Sequence, residues 1–157
     1  MMNIVPILVY FLVAMMLTSL PMPETDIIYL PDWLTLVLIY WCMAIPERIG
    51  IFTGWMLGLL LDVMYGSLLG QNAMAFAIIA YLVNMLHLRV RMFPLWQQSV
   101  MVFLLVILHL AISAWIRGIA GQFFVTWTYW IPALTSALVW PFIFIVLRDI
   151  RRQISSK

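Results

Sequence analysis

Apolar residues fill long runs of this chain, and polar residues gather between the runs in short clusters with proline. Read as helices bounded by prolines and charges, the runs cover residues 4–20, 33–45, 49–65, 73–88, 96–116 and 129–147. No basic residue precedes the first run, and it ends in Pro21-Met22-Pro23 instead of a small-x-small cleavage site. It reads as a retained membrane helix and not as a removed signal peptide. Asp32 stands where it can cap the second helix, and Pro46 closes that helix. Only 14 residues lie between Pro31 and Pro46, about 21 Å at 1.5 Å per residue, against a hydrocarbon core of about 30 Å. Such a helix is tucked inside a bundle, thins the bilayer, or continues past Pro46. Asn72 and Thr128 are placed to cap the fourth and sixth helices, and Pro141 falls deep enough in the sixth to kink it.

Composition makes the bilayer the solvent. The chain has 157 residues, 66% hydrophobic and 9% charged, with mean hydropathy +1.11; a soluble domain carries about 25% charged residues. No polar stretch is long enough for a second domain, so residues 1–157 read as one six-span membrane domain with a short, soluble basic tail, 148–157. Cys42 is the only cysteine, which excludes an intrachain disulfide and a multi-cysteine metal site. Six spans put both termini on one side. With the termini inside, Arg48, Arg89, Arg91, Arg148, Arg151, Arg152 and Lys157 are cytoplasmic and Arg117 alone is outside, as the positive-inside rule asks. The loop carrying Glu24, Asp26 and Asp32 then falls outside. Trp33, Trp115, Trp127 and Trp130 would belt the outer boundary and Trp96 the inner one.

One ladder stands out. Gly50, Gly54, Gly58, Asp62, Gly66 and Gly70 recur at a spacing of four. Over Gly50–Gly58 the helical drift stays within one face, so these three give a smooth surface on which another helix backbone can come close; Gly66 and Gly70 shape the following turn. That face serves either this bundle's own packing or a partner's membrane helix. Asp62 is the only acid inside a convincing span. It is either an interfacial acid held by water, backbone and the Asn72 amide, or a polar node paired with Arg117. His109, alone in an apolar helix, reads as a neutral ring bonded to a nearby carbonyl or hydroxyl. Phosphate-binding, serine-hydrolase and zinc-protease motifs are absent, which argues against a nucleotide motor and an enzyme; the short outer loops and the few polar groups of the interior argue against a small-molecule transport subunit. The Arg89–Arg91 turn and the tail arginines 148, 151 and 152 are candidate contacts for cytoplasmic proteins or anionic lipid.

Several segments together resemble the MreD family of bacterial rod shape-determining inner-membrane proteins: LPDWLTLVLIYWCMAIPERIGIFTGWMLGLLLDVMYGSLLG, AFAIIAYLV, LWQQSVMV and LVWPFIFIVLRDIRRQ. Pro31-Asp32-Trp33, Tyr40-Trp41, Pro46 and the Gly54–Gly70 ladder are the diagnostic core. The resemblance implies an all-α bundle of six transmembrane helices, similar to the substrate-binding subunits of ECF-type vitamin transporters. It implies a non-enzymatic elongasome protein in the bacterial inner membrane, with no cofactor. The implied direct partner is MreC, a single-span protein with a periplasmic coiled coil. MreB, RodZ, RodA and a class B penicillin-binding transpeptidase work in the same complex. Glu24, Asp26 and Asp32 would receive basic juxtamembrane residues of a partner. The alternative is a small-molecule-binding membrane subunit of a transporter.

Overall fold

The computed structural model describes residues 4–19, 32–66, 69–121 and 127–155. Glu24, Asp26 and Lys157 lie outside these. Among the described residues six α-helices follow one another: α1 (Ile4–Thr18), α2 (Trp33–Ala44), α3 (Ile51–Tyr65), α4 (Gln71–Met92), α5 (Leu95–Ile119) and α6 (Ile131–Ser155), the last entered through a 3-10 turn at Trp127–Trp130. Helices α4, α5 and the stretch Trp127–Gln153 are long and apolar enough to cross a membrane; α1, α2 and α3 are shorter apolar helices.

The shortest helix, α2, is the core. Every residue from Leu34 to Met43 is buried, and α2 packs against α1, α4, α5 and α6. A helix apolar on all sides has no face for water, and its 12 residues are tucked inside the bundle. The rest of the molecule inverts the soluble pattern. Its outer surface shows Leu8, Leu12, Leu104, Leu138 and Phe142, whereas Thr35, Asp62, Asn72, Gln98, His109 and Ser136 are buried. With hydrocarbon outside, polar side chains find partners only within the protein.

Three helices outrun their expected ends. Arg89 and Arg91 lie in the last turn of α4, not in a connecting turn. Arg117 lies in the last turn of α5. The basic tail is helical through Ser155, because α6 runs through Pro141 and meets no breaker beyond it. Helix α4 begins after Gly70 and not at an Asn72 cap. Gly66 ends α3 at φ 64° and Gly70 opens α4 at φ 99°, left-handed positions that glycine takes without strain.

The smooth face of α3 lies against α4 of this same chain. A Cβ on Gly58 would overlap the backbone of Ala73 and come within 2.5 Å of the Asn72 carbonyl carbon; on Gly54 it would meet the Phe76 carbonyl oxygen at 2.7 Å and the Ala80 Cβ at 3.1 Å. On Gly50 it would meet only the Asn84 amide nitrogen, at 2.9 Å, the end of a side chain that can turn aside.

The order of damage follows from what must move. Gly58→Ala should cost about 1–3 kcal/mol, Gly54→Ala somewhat less, and Gly50→Ala within about 0.5 kcal/mol of zero. Reversible unfolding in detergent micelles, followed by tryptophan fluorescence, measures all three; equal losses would contradict the packing.

Candidate functional site

The last turn of α3 brings Asp62 beneath the start of α4. Its carboxylate, 1% exposed, accepts from the backbone N–H of Gly70 at 3.0 Å, of Asn72 at 3.1 Å and of Ala73 at 3.4 Å, and from Nδ2 of Asn72 at 2.9 Å. The first N–H groups of a helix lack intrahelical partners, and that end of the helix dipole is positive. Asp62 therefore caps α4 from a neighbouring helix, which answers the cost of an acid in an apolar span.

Asn72 carries the network onward. Its Nδ2 is committed to a carboxylate, which only accepts, so Oδ1 faces the other way, 3.1 Å from Nε2 of His109. Nε2 must then be the donor and carry a proton. Nδ1 of His109 lies 2.8 Å from Oδ2 of Asp32, at ion-pair distance but off the line of a good N–H···O bond. That contact ties the ring of α5 to the residue that opens α2. Phe76 covers the ring, with centroids 4.9 Å apart.

Asp32 ties three helices together. Oδ2 accepts from the Thr35 hydroxyl at 2.7 Å, and the Asp32 N–H donates to the Ser136 hydroxyl at 3.0 Å. Asp32 does occupy the cap position of α2, and its carboxylate is shared between the Thr35 hydroxyl and His109. The chain Asp32–His109–Asn72–Asp62 so joins α2, α5, α4 and α3.

Asp32, His109 and Asn72 border a cavity of about 280 Å³ whose wall also includes Ser113, Arg117 and Tyr129. The hydroxyl of Ser113 is buried without a hydrogen-bond partner among the described residues. Tyr129 bonds the Leu110 carbonyl and Tyr65 the Thr18 carbonyl, each at 2.9 Å. The sparse polar interior expected from sequence is corrected here, since folding collects polar residues from separate helices around one space. The expected Asp62–Arg117 pair is not formed. Backbone donors of α4 surround Asp62, and Arg117 lines the cavity with no ion pair among the described residues.

Two residues fasten the other end of the bundle. Arg91 donates through Nε to the Met43 carbonyl at 2.9 Å and through Nη2 to the Ala44 carbonyl at 2.8 Å, with a further Nη2 contact to Met43. It thus covers the carbonyl end of α2, so this arginine serves the fold itself. Gln98 donates to the Val90 and Phe93 carbonyls at 3.0 and 3.2 Å and accepts from the Trp140 indole at 3.3 Å. Sequence reasoning passed over Gln98; the signal was an amide within an apolar helix four residues after Pro94. Arg89 does not line the cavity that Arg91, Arg148 and Arg151 share, and Arg152 is exposed. Among the described residues, no group of three or more His, Cys, Asp or Glu side chains could hold a metal ion.

Comparison with known proteins gives concordant matches. The family model described as rod shape-determining protein MreD matches residues 1–150. The rod shape-determining protein MreD of Haemophilus influenzae is 34% identical over 148 residues, covering 94% of this chain and 91% of that protein. No solved structure matches.

Removing the Asp62 carboxylate strands several buried N–H donors at once. Asp62→Ala should lose about 3–5 kcal/mol in detergent unfolding, and Asp62→Asn less, because an amide oxygen still accepts. In double-mutant cycles with alanine, Asp32 and His109 should couple by about 1 kcal/mol or more, whereas Asp62 and Arg117 should add to within about 0.5 kcal/mol. Strong coupling of the second pair would refute the assignment of α4 backbone donors, in place of Arg117, as the partners of Asp62.

Proposed function

Since the chain belongs to the MreD family of rod shape-determining proteins, and so has a role in cell shape, we propose that it is a non-enzymatic membrane scaffold of the elongasome that binds MreC and supports lateral peptidoglycan synthesis. In this reading the chain crosses the inner membrane six times, the short α2 with its ends enclosed in the bundle, and both termini are cytoplasmic and the Asp62 end outside. MreB, RodZ, RodA and a class B penicillin-binding transpeptidase belong to the same assembly.

The observation that carries the reading is an apolar groove of about 440 Å³ between α1 and α6, floored by Trp33 and Val37 of α2. It extends from Leu17, near one end of the bundle, to Leu147 and Ile150, near the other. Burying apolar surface gains little in lipid, so a partner helix needs a shaped surface for close contact. The glycine face of α3 is occupied by α4; of two open apolar grooves, the other lying between α5 and α6, the one whose floor residue Trp33 directly follows Asp32 is the proposed bed for MreC's single span. Glu24 and Asp26 would then meet the basic residues that follow that span; Asp32, expected to join them, is instead engaged inside the bundle by Thr35 and His109.

The polar cavity favours a second reading, a small-molecule-binding subunit of a transporter. Its volume of about 280 Å³ falls near the lower limit of about 300 Å³ for ligand pockets. A metabolite retained by the purified chain in native mass spectrometry would support that reading.

Val13→Trp and Val146→Trp fill the groove. Each should weaken capture of MreC by the detergent-solubilised chain at least about tenfold, equivalent to about 1.4 kcal/mol. Leu104→Trp, on the exposed face of α5, should leave capture intact. Wild-type capture by both groove variants would remove MreC from this face.

A further inference from the structure

The end of the bundle remote from Asp62 holds a second cavity, of about 160 Å³. Arg91 of α4, Arg148 and Arg151 of α6, Tyr40 of α2 and Gln98 of α5 line it. We propose that this cavity binds one phosphate group, whether borne by a lipid or free in solution.

Charge is the first argument. Three guanidinium groups share the wall of one small space, and Arg91, Arg148, Arg151 and Arg152 all act electrostatically on the Tyr40 hydroxyl. The acid beside them, Asp149, keeps a side chain 58% exposed and reaches Nε of Arg148 only at 4.0 Å. Like charges gathered at the edge of a low-dielectric interior call for an anion.

Donor geometry is the second. Nε of Arg148 is shielded from solvent and makes no hydrogen bond among the described residues, while its guanidinium packs 5.9 Å from the centroid of Phe144. Arg91 spends Nε and Nη2 on carbonyls, and its Nη1 is uncommitted among the described residues. Planar guanidinium forks suit phosphate oxygens better than lysine would.

The third argument is that backbone repulsion is already screened. Carbonyl ends of helices disfavour anions. Here Arg91 covers those of α2, and Gln98 covers two carbonyls at the end of α4. Size sets the class of ligand. The space equals that of about five waters at ~30 Å³ each, enough for a phosphate group and too little for a nucleotide or a drug-sized metabolite.

The test follows unfolding of the full chain in neutral detergent with phosphatidylglycerol, with phosphatidylcholine, or with inorganic phosphate against chloride at equal ionic strength. Phosphatidylglycerol should raise Tm by about 3 °C or more. Arg148→Gln and Arg151→Gln should each lose at least half of that shift. Arg151→Lys should keep part of it, and Arg48→Gln, an exposed arginine outside the cavity, should keep all of it. A shift produced by inorganic phosphate alone, and lost in the same two variants, would keep the site and assign it a soluble ligand. An equal shift with phosphatidylcholine, or an undiminished one in both glutamine variants, would overturn the proposal. Native mass spectrometry of the wild type guards against misfolded variants: preferential retention of phosphatidylglycerol supports the site, and retention without headgroup preference refutes it.

Discussion

A carboxylate under a helix start organises this molecule. In hydrocarbon, neither a buried acid nor a helix N-terminus can turn to water. Asp62 and the first turn of α4 satisfy each other. The arrangement demands that α3 and α4 lie almost backbone to backbone, and Gly54 and Gly58 make that approach possible. Gly66 and Gly70, both at positive φ, fold the connection back tightly enough for the capping turn to land on the acid. The ladder thus joins close packing, reversal and electrostatics in a single stretch of sequence.

The same constraint recurs elsewhere. Arg91 reaches from α4 to the carbonyl end of α2, and Gln98 reaches from α5 to the end of α4. Side chains from one helix complete the backbone of another, so the helices specify one another's positions through polar bonds as well as through shape. This matters for a short core helix such as α2. It cannot rely on the bilayer interface to solvate its ends, and its neighbours must supply the missing partners.

Much of this was legible in sequence, and the reasons are local. Long apolar runs, prolines and the glycine spacing record a helix's own chemistry, so six helices and a smooth face on α3 could be read directly. Membership in the rod-shape family rests on similarity over nearly the whole chain. What could not be read were contacts between distant positions. Asp32 meets Thr35, three residues away, but also His109 and Ser136, which only the packing of α5 and α6 beside α2 brings near. For Asp62 the sequence left two partners open, the backbone with the Asn72 amide, or Arg117 as the one base expected on that side; spacing alone does not choose between them, and packing brings the N–H groups of α4 and the Asn72 amide. Helix ends were missed for a related reason. Arg89, Arg91 and the tail arginines look like loop charges, yet arginine is a good helix former and continued the helices that preceded it.

The central position of α2 bears on how the protein is made. This helix is second in the chain, yet it is enclosed by α4, α5 and α6, which leave the ribosome later. Until they arrive, Asp32 lacks His109 and Ser136, and the carbonyls of Met43 and Ala44 lack Arg91. The nascent amino-terminal half is therefore an incomplete object in the membrane. Its maturation waits on the carboxy-terminal half, so synthesis and assembly are separate events, and a chain cut short after α3 would present the translocation and quality-control machinery with unsatisfied polar groups in lipid.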